Sequence, residues 1–248
     1  MKNTDIDLSE EQVASFSADG FIRLEEAFSE NLAARCRDHL WQALNRMAGI
    51  SPDEPHSWQE PVIRIPLMTL PAFAEAANTP KLTGAYDALT GKGQWQKLMG
   101  LGSFPVRFPS SRPPADTGWH VDMSFGTDHP DFMEWRINSA SRGRLLLMLF
   151  LFSNVGSDDA PTRIRKGSHR TIARELLPHG SEGLTLRELA ADGFASTAGC
   201  EEMLATGPAG TVYLCHPFIV HSSQGHRGTA PRFMAQPPLL PKDGFDSP

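Results

Sequence analysis

The texture of the chain changes at Trp95, and that change limits the fold more than any other feature. Before it, apolar residues recur at helical spacing. Ser9 followed by Gln12 forms a capping-box signature for a helix over 10–18, which stops before Gly20. Leu32, Cys36, Leu40, Ala43, Leu44 and Met47 predict a second helix between an N-cap at Ser29 and a stop at Gly49. Pro52, Pro55, Pro61 and Pro66 break the next segment, and two more helical stretches are predicted near 71–78 and 81–90. After Trp95, short runs of Val, Phe, Ile and Leu alternate with Pro, Gly, Ser and Asp, which predicts strands at 103–108, 118–124, 144–153, 162–165, 210–215, 218–222 and 231–237. The pattern at 171–206 is instead that of a helical or loop-like insertion over one end of the sheets, with Gly180, Gly183 and Gly193 as candidate hinges of a lid. No repeat or linker divides the chain, so 1–248 is expected to form one domain, helical over 1–95 and β-rich over 96–240. The architecture read this way is helices around a β-sandwich.

Composition excludes several classes of function. The 248 residues are long enough to bury a core without help from a metal, and 40% of them are hydrophobic. A net charge of -6 argues against an electrostatic grip on nucleic acid or anionic lipid. Cys36, Cys200 and Cys215 form neither a C-x-x-C pair nor a disulfide framework. The polar start "MKNTDIDLSEEQ" is unlike a signal peptide, and the run "LLLMLFLF" is too short to span a bilayer. A cytoplasmic protein without membrane or nucleic-acid partners is expected, with oligomeric state open.

Chemistry enters with "GWHVDMSF", residues 118–125. With 9 His and 29 acidic residues, chance supplies about one His-x-carboxylate triplet. The chain holds two. His129-Pro130-Asp131 has a central proline and polar neighbours, the marks of a solvent-facing turn. His120 and Asp122 lie in a strand-like run, where residues two apart project from one face and can meet one ion. Two histidines and one carboxylate on one face of Fe(II) leave positions open, so a third ligand is required. Its candidates are His216, His221 and His226. His216 precedes Pro217 and His226 lies in a Gly-flanked loop, whereas His221 ends the apolar run Phe218-Ile219-Val220 and is the best supported. The plain alternative is that all three are ordinary hydrogen-bonded or surface histidines.

Four segments in order resemble the phytanoyl-CoA dioxygenase family of Fe(II)- and 2-oxoglutarate-dependent oxygenases. They are "LSEEQVASFSADGFIRLEEAFSENLAARC", "GWHVD", "FLFSNVGSDDAPTRIRKGSH" and "GTVYLCHPFIVHSS...RGTAPRF". Lys166 stands where the family usually has proline. The resemblance implies a double-stranded β-helix, a cupin-like jelly-roll, with N-terminal helices. It assigns His120, Asp122 and His221 to iron, and Arg232 and Ser223 to the distal carboxylate of 2-oxoglutarate. Arg227 competes for the arginine role, but "GHRG" has the glycines of a turn. Met234 and Gln236 would share a strand face with Arg232.

The implied activity is a non-haem dioxygenase using Fe(II), 2-oxoglutarate and O2, hydroxylating an unactivated C–H bond of a small molecule and releasing succinate and CO2. Related halogenases replace the acidic ligand by a small residue, so Asp122 disfavours halogenation. Arg107, Trp119 and Phe125 flank the metal motif as candidate substrate contacts, though aromatic residues there are more often core packing. Arg163 and Arg165 face one way, inward or outward, and basic residues near "LLLMLFLF", Arg144 among them, could serve an anionic substrate or form a solvated rim, the rim being favoured for most. The competing readings are a metal or ligand sensor without catalysis and a cupin-type metalloenzyme that does not use 2-oxoglutarate.

Overall fold

The computed structural model describes residues 8–123 and 129–242. Helix α1 (Glu10–Asp19) has the expected capping box, Ser9 with Gln12, and ends on Gly20 in the left-handed conformation at φ 83°. Strand β1 (Phe21–Leu24) follows at once. Helix α2 (Glu30–Ala48) starts where the Ser29 side chain accepts from the Leu32 N–H and stops at left-handed Gly49. Strand β2 (Val62–Ile65) and helices α3 (Pro71–Ala77) and α4 (Pro80–Thr90) complete the N-terminal part. The helices agree with the sequence pattern. Strands β1 and β2 do not, because each is four residues long and gains its ladder only from distant partners.

The remaining strands are β3 (Phe104–Arg107), β4 (Arg136–Ile137), β5 (Leu146–Leu151), β6 (Arg163–Arg165), β7 (Leu184–Thr185), β8 (Glu202–Leu204), β9 (Val212–Cys215), β10 (His221–Ser222), β11 (Met234–Ala235) and β12 (Pro238–Leu239). An antiparallel sheet runs β1-β9-β5-β11, with β12 also on β5. Opposite it lies the sheet β10-β6-β8. The two face each other as a double-stranded β-helix. Leu147, Leu149 and Leu151 of β5 pack between the sheets with Ile164, Tyr213, Cys215 and Met234. Leu146, Met148 and Phe150 face the other way, onto Leu32, Cys36, Leu40 and Leu44 of α2. Both faces of β5 are therefore buried, which is why its sequence is continuously apolar rather than alternating.

Two expectations are corrected. The run 118–124 is not a strand over its described residues: only His120 makes a bridge, to His221, and 121–123 are irregular. The segment 171–206 is not wholly an insertion, since β8 at its end pairs with β6 and closes the smaller sheet. The rest of it comprises helices α5 (Ser168–Leu176) and α6 (Leu186–Leu189), with β7 paired to β4. Ile172, Leu176, Leu186, Leu189 and Phe194 pack there against Val121, Phe218 and Val220. That cluster sets the insertion against the "HVD" segment.

Candidate metal centre

His120 and His221 are brought together by backbone pairing. Each N–H donates to the other's carbonyl at 3.0 Å, and the ring centroids lie 4.2 Å apart. Their Nδ1 atoms lie 2.9 and 3.1 Å from the carbonyls of Gly118 and Ile219. A carbonyl can only accept, so both Nδ1 atoms carry a proton, and in the neutral ring that leaves the Nε2 lone pair free. This is the tautomer a metal ligand requires. The Nε2 of His221 is buried without a hydrogen-bond partner, 3.6 Å from Asp122 Oδ2.

Burial opposes ionisation of Asp122, but His221, His120 and Arg144 outweigh it and hold the carboxyl well below the usual carboxylate range. Burial, and then His221, lower the pKa of His120, with Asp122 opposing. Asp122 is thus held ionised beside His120, whose charged form burial disfavours. One ligand atom from each of His120, Asp122 and His221 lies within 4.8 Å of the others, a set that could hold one divalent ion on three protein ligands. Although 121–123 are irregular, His120 and Asp122 still converge.

A cavity of about 780 Å³ opens onto these three residues. Trp119, Arg107 and Ser223 line it, whereas Phe125 lies outside the described residues. Arg107 is 2% exposed and donates two 2.8 Å hydrogen bonds to the carboxylate of Asp116, which also pairs with Arg64. Burial opposes Asp116 ionisation, yet Arg107, Arg64 and Ser223 bring its pKa below the ordinary value. The Ser223 hydroxyl donates to the Asp116 backbone carbonyl.

Arg232 does not line this cavity. It sits behind the wall, 1% exposed, with its backbone bridged to Arg107 and its guanidinium donating to the carbonyls of Ala160 and Pro105. Its Nε has no partner, and no carboxylate pairs with it among the described residues. Arg227 is exposed and paired with Asp158 at 3.0 Å. Gln236 reaches the cavity, whereas Met234 belongs to the core between the sheets. His216 and His226 are not in the triad. Arg163 and Arg165 both lie over the Trp119 ring, at 4.5 and 4.0 Å from its centroid. Lys166 pairs with Asp19 at 3.2 Å, so the loop without the family's proline is tied to α1.

Sequence reasoning missed Asp116 as a partner of Arg107, and it missed the apolar wall formed by Phe132, Leu186, Ala190 and Phe194. The Asp four residues before His120 in a Pro- and Gly-containing segment was the available signal. No helix among the described residues is long and apolar enough to cross a membrane.

The chain matches no protein-family model and no curated protein sequence. Among solved structures it is similar to EctD from S. alaskensis with bound Fe, at 20% identity and TM-score 0.64 over 100% of this chain and 82% of that one. It is also similar to the non-heme alpha ketoglutarate dependent carbocyclase SnoK from nogalamycin biosynthesis, at 15% identity and TM-score 0.62 over 94% and 84%. A third likeness is to HygX from Streptomyces hygroscopicus with nickel and 2-oxoglutarate bound, at 18% identity and TM-score 0.60 over 95% and 88%. At these identities the likeness establishes a shared fold, the double-stranded β-helix with its N-terminal helices.

Proposed function

We propose that the chain is an Fe(II)- and 2-oxoglutarate-dependent dioxygenase of the phytanoyl-CoA dioxygenase type, acting on a small molecule. The carrying observation is the convergence of His120, Asp122 and His221, with both imidazoles held in the tautomer that frees Nε2. His221 Nε2, buried and unpartnered, fits an ion at this place. Iron(II), when bound, supplies open positions where 2-oxoglutarate and O2 react, giving succinate, CO2 and an oxidised substrate.

The protein's own residues do the rest. The carbonyls of Gly118 and Ile219 orient the two ligand rings. Arg232 and Ser223 take the distal carboxylate of 2-oxoglutarate. Burial and the like charge of Arg107 disfavour the charged form of Arg232, a strain that an anion relieves. Taking that anion requires the Arg232 fork to exchange a carbonyl for it. Trp119 and Arg107 line the substrate space, where the apolar wall keeps water from the reacting bond.

Hydroxylation of an unactivated C–H bond is the default outcome. The retained carboxylate of Asp122 disfavours halogenation. The likeness to a carbocyclase, and to the epimerase SnoN at TM-score 0.60, keeps ring formation and epimerisation as outcomes to be separated by product analysis. The test is succinate release from 2-oxoglutarate by purified protein with Fe(II), ascorbate and air, while a metabolite collection is screened for stimulation. Release that D122A abolishes is expected. Metal binding without succinate under any condition would leave the sensor or the non-2-oxoglutarate metalloenzyme in its place.

A further inference from the structure

Three arginines line the cavity, and they are not equivalent. Arg64 and Arg107 both pair with Asp116. Arg144 has only the Oδ2 of Asp122, at 3.9 Å, beyond hydrogen-bond distance, and its guanidinium has no hydrogen-bond partner among the described residues. Its side chain is 21% exposed and borders the cavity. Its backbone adjoins a paired segment. The adjoining Leu145 N–H donates to the Leu239 carbonyl at 2.7 Å, and β5 begins immediately after it. A cation is thus placed beside the metal ligands, with no hydrogen-bond partner for its guanidinium among the described residues.

The charge balance points the same way. Among the described residues, the cavity wall carries three arginines against two aspartates. A divalent ion and dianionic 2-oxoglutarate cancel, so a positive excess remains for the second ligand. The lining also includes the apolar side chains of Trp119, Phe132, Met133, Leu186 and Phe194. At about 780 Å³ the cavity is in the upper part of the range for small-ligand sites.

We propose that Arg144 binds a carboxylate of the substrate, so that the substrate is an organic acid whose apolar body lies against the Trp119 and Phe194 wall. A guanidinium's planar fork matches a carboxylate in two parallel hydrogen bonds. This inference rests on the oxygenase reading, since the cavity is treated as the substrate site.

The test measures binding, with turnover as a separate readout. Protein loaded with Mn(II) and saturating 2-oxoglutarate is titrated with octanoate, 4-phenylbutyrate and indole-3-acetate, with the primary amide of each, and with octyl phosphate. At least one acid is expected to bind about tenfold or more tightly than its amide. R144Q should abolish that preference while leaving amide binding within about twofold, and R144K should restore part of it. Equal binding of acid and amide in all three pairs overturns the inference, as does a preference that survives in R144Q. Tighter binding of octyl phosphate than of octanoate overturns the carboxylate assignment. If R144Q instead weakens Mn(II), acid and amide alike, Arg144 is only a support for Asp122 and the inference fails. Succinate release by the wild type is measured on the same preparation: its absence overturns the oxygenase reading, and its presence without an acid preference overturns this inference alone.

Discussion

His120 and His221 exchange both backbone hydrogen bonds of a single antiparallel pair, and that pair sets their imidazoles 4.2 Å apart with both Nε2 atoms free. Asp122 then needs no strand of its own. Replacing Asp122 with alanine removes the negative ligand of the set. Fe(II) or Mn(II) affinity, measured by calorimetry, should fall by more than about 100-fold, the upper end of what losing a residue behind a ligand costs. Unchanged affinity would mean that the ion binds elsewhere.

The two candidate arginines are separated by burial. Arg232 is 1% exposed and has no carboxylate partner among the described residues, while Arg227 is exposed and paired with Asp158. Hydrogen bonds to a charged group contribute about 1.5–3 kcal/mol, so R232Q should raise the Kd for 2-oxoglutarate about 10- to 100-fold. R227Q should change it by less than about twofold. The reverse order of effects would move the cosubstrate site to the other arginine.

Asp116 compensates a buried cation. In D116A, Arg107 loses both 2.8 Å hydrogen bonds and stays buried. Removing one partner of such a pair costs about 3–5 kcal/mol, which should lower the urea midpoint, with D116N recovering part of the loss. A loss near zero would show that water or an anion already satisfies Arg107.

Acid should weaken the fold through His216. Burial, and then the neighbouring His169 ring at 5.0 Å, lower the His216 pKa to about 4, and its Nδ1 accepts the Phe218 N–H at 3.1 Å. Above pH 6.5 the ring is neutral in both folded and unfolded chains, so it adds no pH dependence. Between 6.5 and 4 the unfolded chain takes up the proton first, and stability falls by up to about 3 kcal/mol. Urea unfolding at pH 7, 5.5 and 4.5 should show this slope, and H216Q should reduce it, the remainder belonging to groups such as His120, His169 and His226, whose pKa values burial also lowers. A slope unchanged in H216Q would place the acid sensitivity on other groups.

Much of the fold was legible because it is local. The Ser9 and Ser29 caps and the Gly20 and Gly49 stops lie within a turn of the helices they bound, so short-range hydrogen bonding decides α1 and α2. The run Leu146–Leu151 announced a strand by composition. By contrast, β1 at Phe21–Leu24 and β8 at Glu202–Leu204 are too short to carry a period and exist through pairing with β9 and β6.

The sequence by itself determined which residues could serve: His120 and Asp122 at a spacing that lets two side chains converge, His221 at the end of an apolar run, and a basic residue beyond it. Only the tertiary structure decided how they meet. It turned both Nδ1 atoms toward carbonyls, paired Arg107 with Asp116, and set Arg144 beside Asp122 with no hydrogen-bond partner for its guanidinium among the described residues. The sequence offers Arg144 as one of several basic residues that suit either an anionic substrate or a solvated rim, and nothing in its own neighbourhood of the sequence distinguishes it. The physical reason is range. Helix caps and strand composition act within a few residues, but the charge an arginine must balance is set by groups that only the closed sheets bring to the same cavity.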